Sequence, residues 1–325
     1  MPGWRAHCPG RFRGLRRGSF VSLAGAINRR STNALHFHRF CVRCLWTHNE
    51  EGDWKPTRLK WRIVVSYDGT RFSGWQYQPD FPTVQGLIED ALTKLTRYTR
   101  EELLMAAASR TDAGVHALGQ VAHFHSPACI GDLSRIHRGL NGTLPHEIRV
   151  REISPAKSSF HAQACARTKR YQYKLFVAPV MDPLLRLYAY HVPERLDVAA
   201  MAEACGYFVG KHDFSTFSNS STLRPLQNPV REILRFDLLE QGPVLCFEIE
   251  GTGFFHKQIR NMVGLIVAIG KGEHEARVIP ELLAMKDRQK LARVSITAPS
   301  RGLTLVSVHY DQSDLDLPEN LLCRK

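Results

Sequence analysis

The chain has 325 residues, of which 43% are hydrophobic and 23% charged, and 44 Lys+Arg against 31 Asp+Glu give it a formal charge of +13. That composition is globular rather than disordered, the length allows one large domain or two smaller ones, and eight scattered cysteines do not make the dense framework of a small secreted domain. The apolar run 262–269 is far short of the roughly 20 residues that a spanning helix needs, so no membrane role is expected.

The charge is uneven. Residues 1–49 hold nine Arg, no Lys and no acid, which leaves only +4 for the rest of the chain. Arg5, Arg11, Arg13, Arg16, Arg17, Arg29, Arg30, Arg39 and Arg43 are interleaved with Ser19, Ser22, Ser31 and Thr32. Arg-rich, Ser-containing and acid-poor is the composition of a mitochondrial transit peptide. Residues 1–57 are therefore read as a leader and the mitochondrial matrix as its destination, with nucleus or cytoplasm as the alternative. A basic arm that binds RNA is the other reading of the same residues. Cys41 and Cys44 have metal-ligand spacing, with His36, His38 and His48 nearby. A zinc site of this kind uses two paired knuckles and only one is present, so no metal is expected.

From residue 58 the pattern is that of a folded body. Leu59 to Tyr67 is β-branched and partly alternating, a strand, and the turn residues Asp68, Gly69 and Thr70 end it. Thr83 is placed to cap a helix in which Val84, Leu87, Ile88, Ala91, Leu92 and Leu95 recur at helical spacing. A short strand is predicted over 103–108, a polar loop over 109–119, a strand over 120–125, a helix over 133–140 and a strand over 148–153. The second half opens with a strand over 171–177. Asp197 then caps a helix, strands follow over 230–239 and 244–249, helices over 256–269 and 280–285, and a last strand over 304–310. Residues 313–325 read as a loose acidic tail. Strands and helices do not strictly alternate, which argues against a doubly wound parallel sheet. The expectation is an α+β fold of two similar mixed halves, 58–160 and 161–312, in a largely antiparallel sheet with flanking helices.

The segment Ser109-Arg110-Thr111-Asp112-Ala113-Gly114-Val115-His116-Ala117 joins two apolar strands. It concentrates a hydroxyl, a guanidinium, a carboxylate and an imidazole. Gly114 can take a positive φ and turn the backbone sharply. The residues alone leave two readings of Asp112 open. It is a functional group held on a rigid turn, or it caps its own backbone in an Asx turn. His123 and His125 share a strand face, and packing beside Phe124 is the expected role for them rather than metal binding.

Ser109 to His116 resembles the signature loop of the tRNA pseudouridine synthase A family. Other motifs fit in the same order: Tyr67-Asp68-Gly69-Thr70 with Gly74-Trp75-Gln76, Thr83-Val84-Gln85-Gly86, Gly119 to Phe124, Lys169 to Tyr173, Gly210 to Phe214, Phe254 to Gly264, and Gly302-Leu303. The resemblance runs from Leu59 to Tyr310, and the leader suggests the animal pseudouridine synthase-like branch. Two places depart from it. Ser109 stands where the family usually has Gly, and 218–227 matches no motif.

The resemblance implies a pseudouridine synthase fold with a central cleft, and conversion of uridine, most readily in tRNA, to its C-glycoside isomer. Asp112 would be the essential carboxylate, attacking C1′ or removing a proton to give a glycal, and Arg260 would pair with it. Tyr171 would stack on the target base and Arg110 would fill the gap that the base leaves. His116 and Gln120 are counted with these substrate-binding residues. Arg167, Lys169 and Arg170 would contact the RNA backbone. No cofactor is implied, and a homodimer is. A protein that kept this fold as an RNA binder and lost turnover, acting in mitochondrial RNA processing or ribosome assembly, is the competing expectation. The presence of Asp112, Arg260 and Tyr171 together favours the enzyme.

Overall fold

The structure, a computed structural model, describes residues 46–48, 54–56, 58–219 and 228–316. The expected leader, with Cys41 and Cys44, lies outside the described residues except for strands β1 (Trp46–His48) and β2 (Trp54–Pro56), which pair antiparallel. Residues 220–227, within the unmatched segment, also lie outside.

β3 (Leu59–Tyr67) buries Trp61, Ile63, Val65 and Tyr67 on one face, as strand alternation requires. α1 (Val84–Thr96) starts at Thr83, whose side chain accepts the Gly86 amide, and it turns Val84, Ile88, Ala91 and Leu92 into the core. The strand predicted over 103–108 is corrected. Thr99 and Glu102 form a capping box that opens a one-turn helix, α2 (Arg100–Leu103), and only β4 (Ala106–Ala107) stays extended. β5 (His116–Ser126) begins before the predicted 120, because Ala117 pairs with Tyr67 on one side and Leu305 on the other.

α3 (Leu133–Thr143), capped by Asp132, packs on β6 (Ile148–Ala156). β7 (Ala166–Val177) also begins earlier than predicted, and β8 (Tyr190–Val192), α4 (Val198–Gly206, capped by Asp197) and β9 (Gly210–Asp213) follow. β10 (Val230–Gln241) and β11 (Val244–Gly251) form a hairpin. α5 (Gln258–Gly270) buries every residue except Arg260. After α6 (Val278–Met285) comes α7 (Arg288–Val294), a helix that the sequence pattern did not indicate and that Asp287 caps. β12 (Leu303–Tyr310) and α8 (Gln312–Leu315) complete the described chain. α8 takes up the start of the expected loose tail. Leu315 packs on a small second core of Ala108, Val121, Phe160 and Ala162, and Lys157 Nζ donates to Ser313 O at 2.5 Å.

The main sheet runs β6-β3-β5-β12-β7-β11-β10-β9, with β4 beside β5 and β8 beside β7. Its pairings are antiparallel except β12 with β5 and β7 with β8. In each half the first long strand lies between two later ones: β3 between β5 and β6, β7 between β11 and β12. The fold is therefore α+β, in two mixed halves. β12 closes the seam between them, and its parallel register sets Thr304 opposite His116. The loop that precedes β5 thus emerges at the middle of the sheet. No helix among the described residues is long and apolar enough to cross a membrane.

Candidate active site

Between β4 and β5 the chain turns over residues 108–115. Ala108 N–H donates to Val121 O at 2.8 Å, and Val115 N–H donates to Asp112 O at 3.1 Å. Gly114 sits at φ +76°, where a side chain would be strained. The turn leans on the segment after β3, through Trp75 N–H to Thr111 O at 3.0 Å and Gly114 N–H to Phe72 O at 3.4 Å. Thr111 is buried, and its hydroxyl shares a 2.7 Å hydrogen bond with Tyr67 OH. The backbone on both sides of Asp112 is therefore fixed independently of its carboxylate.

That carboxylate is three-quarters or more shielded, with a side-chain exposure of 16%, and it meets two partners. Oδ2 accepts from Arg260 Nη1 at 2.9 Å, and Oδ1 lies 3.2 Å from His256 Nε2. Neither partner is its own backbone, so the Asx-turn reading falls. Arg260 sits in the first turn of α5 and is itself tied down: its Nε donates to Ala298 O at 2.8 Å, and its carbonyl accepts Ala298 N–H at 3.0 Å. Burial pushes the Asp112 carboxyl up, but the hydrogen bonds and charges of His256 and Arg260 outweigh it and hold the group below the usual carboxylate range. The carboxylate is thus kept ionised despite its burial, the state in which such a group can act as a nucleophile.

Tyr171 lies beside this group on β7. Its hydroxyl is 2.7 Å from Ser109 Oγ, and its ring meets Phe254 edge-on at 5.3 Å. It is 5% exposed, and burial pushes its phenol up to about 12. Arg110 is exposed and has no ion pair among the described residues, so its guanidinium is free beside the loop.

Several expected site residues serve the scaffold instead. His116 is buried, and its Nε2 faces two carbonyls, Leu187 O at 3.0 Å and Arg301 O at 3.1 Å. Carbonyls only accept, so Nε2 carries the hydrogen, while Nδ1 accepts Gly69 N–H at 3.1 Å. His116 pins the end of the loop. Gln120 is also buried and holds the loop from beneath, with Nε2 donating to Ser109 O at 2.6 Å.

The expected RNA-contacting row on β7 is likewise divided by what surrounds each side chain. Arg167 pairs with Asp311 and Arg170 with Glu248, each at 2.5 Å. Lys169, on the Tyr171 face, is buried, and burial together with the nearby Arg231 pushes its ammonium down to about 8. His123 packs among His161, His125 and Phe160. Among the described residues no group of three His, Cys, Asp or Glu side chains is arranged to hold a metal. His256 was not expected at the site, although it stands four residues before Arg260 in the Phe254 to Gly264 motif.

An ionised carboxylate, held at the seam of a two-halved α+β sheet, is a site at which one acid group can act. Comparison with known proteins gives the family. Residues 63–163 and 204–311 match the family model described as tRNA pseudouridine synthase. The chain is 39% identical over 255 residues to tRNA pseudouridine synthase A 1 of Protochlamydia amoebophila (strain UWE25), covering 78% of this chain and 97% of that protein. It is 40% identical over 250 residues to tRNA pseudouridine synthase A of Chlamydia muridarum (strain MoPn / Nigg), with coverages of 76% and 91%. The match to tRNA pseudouridine synthase A of Geobacillus kaustophilus (strain HTA426) is 38% over 254 residues, with coverages of 78% and 95%. The chain belongs to the tRNA pseudouridine synthase family, a family of isomerases.

Proposed function

We propose that the chain isomerises uridines of tRNA to pseudouridine, with Asp112 as the nucleophile. The observation that carries this reading is the 2.9 Å pairing of Asp112 Oδ2 with an anchored Arg260, in a chain of this family. Asp112 attacks C1′ of the ribose. The N1–C1′ bond breaks, and its electron pair passes to the uracil ring. Uracil leaves as a delocalised imide anion and so needs less acid assistance than a sugar alkoxide. One carboxylate then serves where a glycosidase uses two. The ring turns, C5 attacks C1′, and the carboxylate leaves with its electron pair. C5 loses a proton and N1 gains one, so the product is an isomer of the substrate and no redox partner or group donor takes part.

The target base must leave its stack, at a cost of a few kcal/mol. Arg110, exposed and two residues from Asp112, is suited to occupy the gap. Tyr171 is the ring that the base would meet once its hydroxyl leaves Ser109, and such stacking is worth about 1–3 kcal/mol. Lys169 is the backbone-contacting cation of the three expected on β7. The protein would act as a homodimer in the mitochondrial matrix. The family resemblance supports the dimer and the Arg-rich leader supports the compartment; light scattering and an import assay test them.

The direct test uses purified protein and tRNA from cells that lack it. Wild type should form pseudouridine and Asp112→Asn should not, while both bind the RNA equally. Comparable turnover by the variant would remove Asp112 from the role.

A further inference from the structure

The two oxygens of Asp112 are held by groups of very different exposure. Oδ2 accepts from Arg260, whose side chain is 14% exposed and whose Nε and carbonyl are both bonded to Ala298. Oδ1 faces His256, whose imidazole is 55% exposed. The backbone around His256 is fixed, because Phe255 N–H donates to Gln258 Oε1 at 2.9 Å and Gln258 N–H donates to Phe255 O at 3.1 Å. The ring is tethered on its far side by Asn219, whose Nδ2 donates to His256 Nδ1 at 3.3 Å and whose N–H donates to the His256 carbonyl at 3.0 Å. A carboxylate only accepts, so the His256 Nε2 facing it carries the hydrogen.

C1′ must reach the oxygen that it bonds, and a side chain resting on that oxygen occupies part of the approach. Arg260 cannot leave Oδ2 without breaking its Nε bond to Ala298 O and stranding a mostly buried cation. His256 can leave Oδ1 by rotating its side chain, since exposed side chains change rotamer in picoseconds to nanoseconds and water replaces the lost partner. We propose that Oδ1 is the nucleophilic oxygen and that His256 is a positioning residue that latches it until the target nucleotide displaces the ring. The proposal rests on the reading of Asp112 as nucleophile. Because the latch competes with substrate, its signature falls on KM at neutral pH, where Asp112 is ionised with or without it.

Initial rates of pseudouridine formation on total tRNA from cells lacking the protein test this. Wild type, His256→Ala, His256→Gln and Asp112→Ala are compared, with thermal unfolding of each. Removing the latch in His256→Ala should lower KM roughly three- to tenfold, the scale of one net hydrogen bond. Gln carries an amide donor that can reach the same oxygen, so His256→Gln should stay within about twofold of wild type. A purely structural role would move both variants alike and would lower their unfolding temperatures. A KM for His256→Ala that is unchanged or raised overturns the latch. Turnover by Asp112→Ala at the wild-type rate would instead overturn the reading of Asp112, whatever the His256 variants do.

Discussion

Asp112 is held ionised against its own burial, and the balance can be tipped. Arg260→Ala removes an opposing charge, so the Asp112 carboxyl should rise. The carboxylate acts when ionised, and the acid limb of the pH–rate profile should therefore move to higher pH in the variant. The rate at neutral pH should fall by roughly a hundredfold or more, the scale of losing one preorganised charge contact. An unshifted limb with a near-wild-type rate would break the pairing claim. Lys169 tests a second charge, on the Tyr171 face of β7. Its ammonium is pushed down to about 8 from an ordinary 10.5, so the unfolded chain holds the proton more strongly than the native one. Between those values stability should rise with pH, as native lysine is already neutral while unfolded lysine is not. Lys169→Met should therefore unfold at a higher temperature than wild type at pH 7, the gap narrowing above pH 8, and it should bind RNA less well. At this scale Asp112 and Arg260 were legible because their motifs are dense and distinctive. The burial of His116 and Gln120 was not legible, because exposure depends on what packs beneath a loop, which residue type does not reveal. His256 carried a readable signal, since spacing of four from Arg260 puts two side chains on one face of the helix predicted from 256.

The elements hold the site at one remove, and α5 shows how. A Cβ on Gly264 would lie 1.9 Å from Ile296 O, so the 296–298 segment rests directly on this helix. The same segment supplies Ala298, which anchors Arg260. Gly264→Ala should thus destabilise by about 3 kcal/mol, the upper range for forced overpacking, and should also slow turnover by freeing Arg260. Leu92→Ala, in α1 and away from the site, should cost about 2–5 kcal/mol with turnover retained at temperatures where it stays folded. Equal effects of the two on activity, compared by urea unfolding and initial rates, would argue against the anchor. Most helices and long strands followed from apolar spacing and caps such as Thr83 and Asp197. The failures were short or paired pieces. A capping box at Thr99 overrode an apolar run, and β5 and β7 were extended by partners far away in the sequence.

Across the whole molecule, the α+β class was readable from the unalternated order of strands and helices, but the sheet order was not. β12 comes last in the chain and lies at the centre of the sheet, and no local pattern records a pairing at such distance. That strand brings the Asp112 loop to the seam where α5 delivers Arg260. Charge is also a whole-molecule property. Outside the leader the net charge is small, and Arg167 and Arg170 are already paired, so RNA binding should depend on a few free cations. Its affinity should still fall linearly on a log–log plot against salt, through counterion release, and a flat series would contradict a site that holds phosphates. Catalysis by Asp112 on tRNA is tested by mapping pseudouridine in mitochondrial and cytosolic RNA from cells lacking the protein and from cells restored with wild type or Asp112→Ala. Specific tRNA positions should lose pseudouridine and regain it only with wild type. No altered position, or restoration by Asp112→Ala, would contradict it.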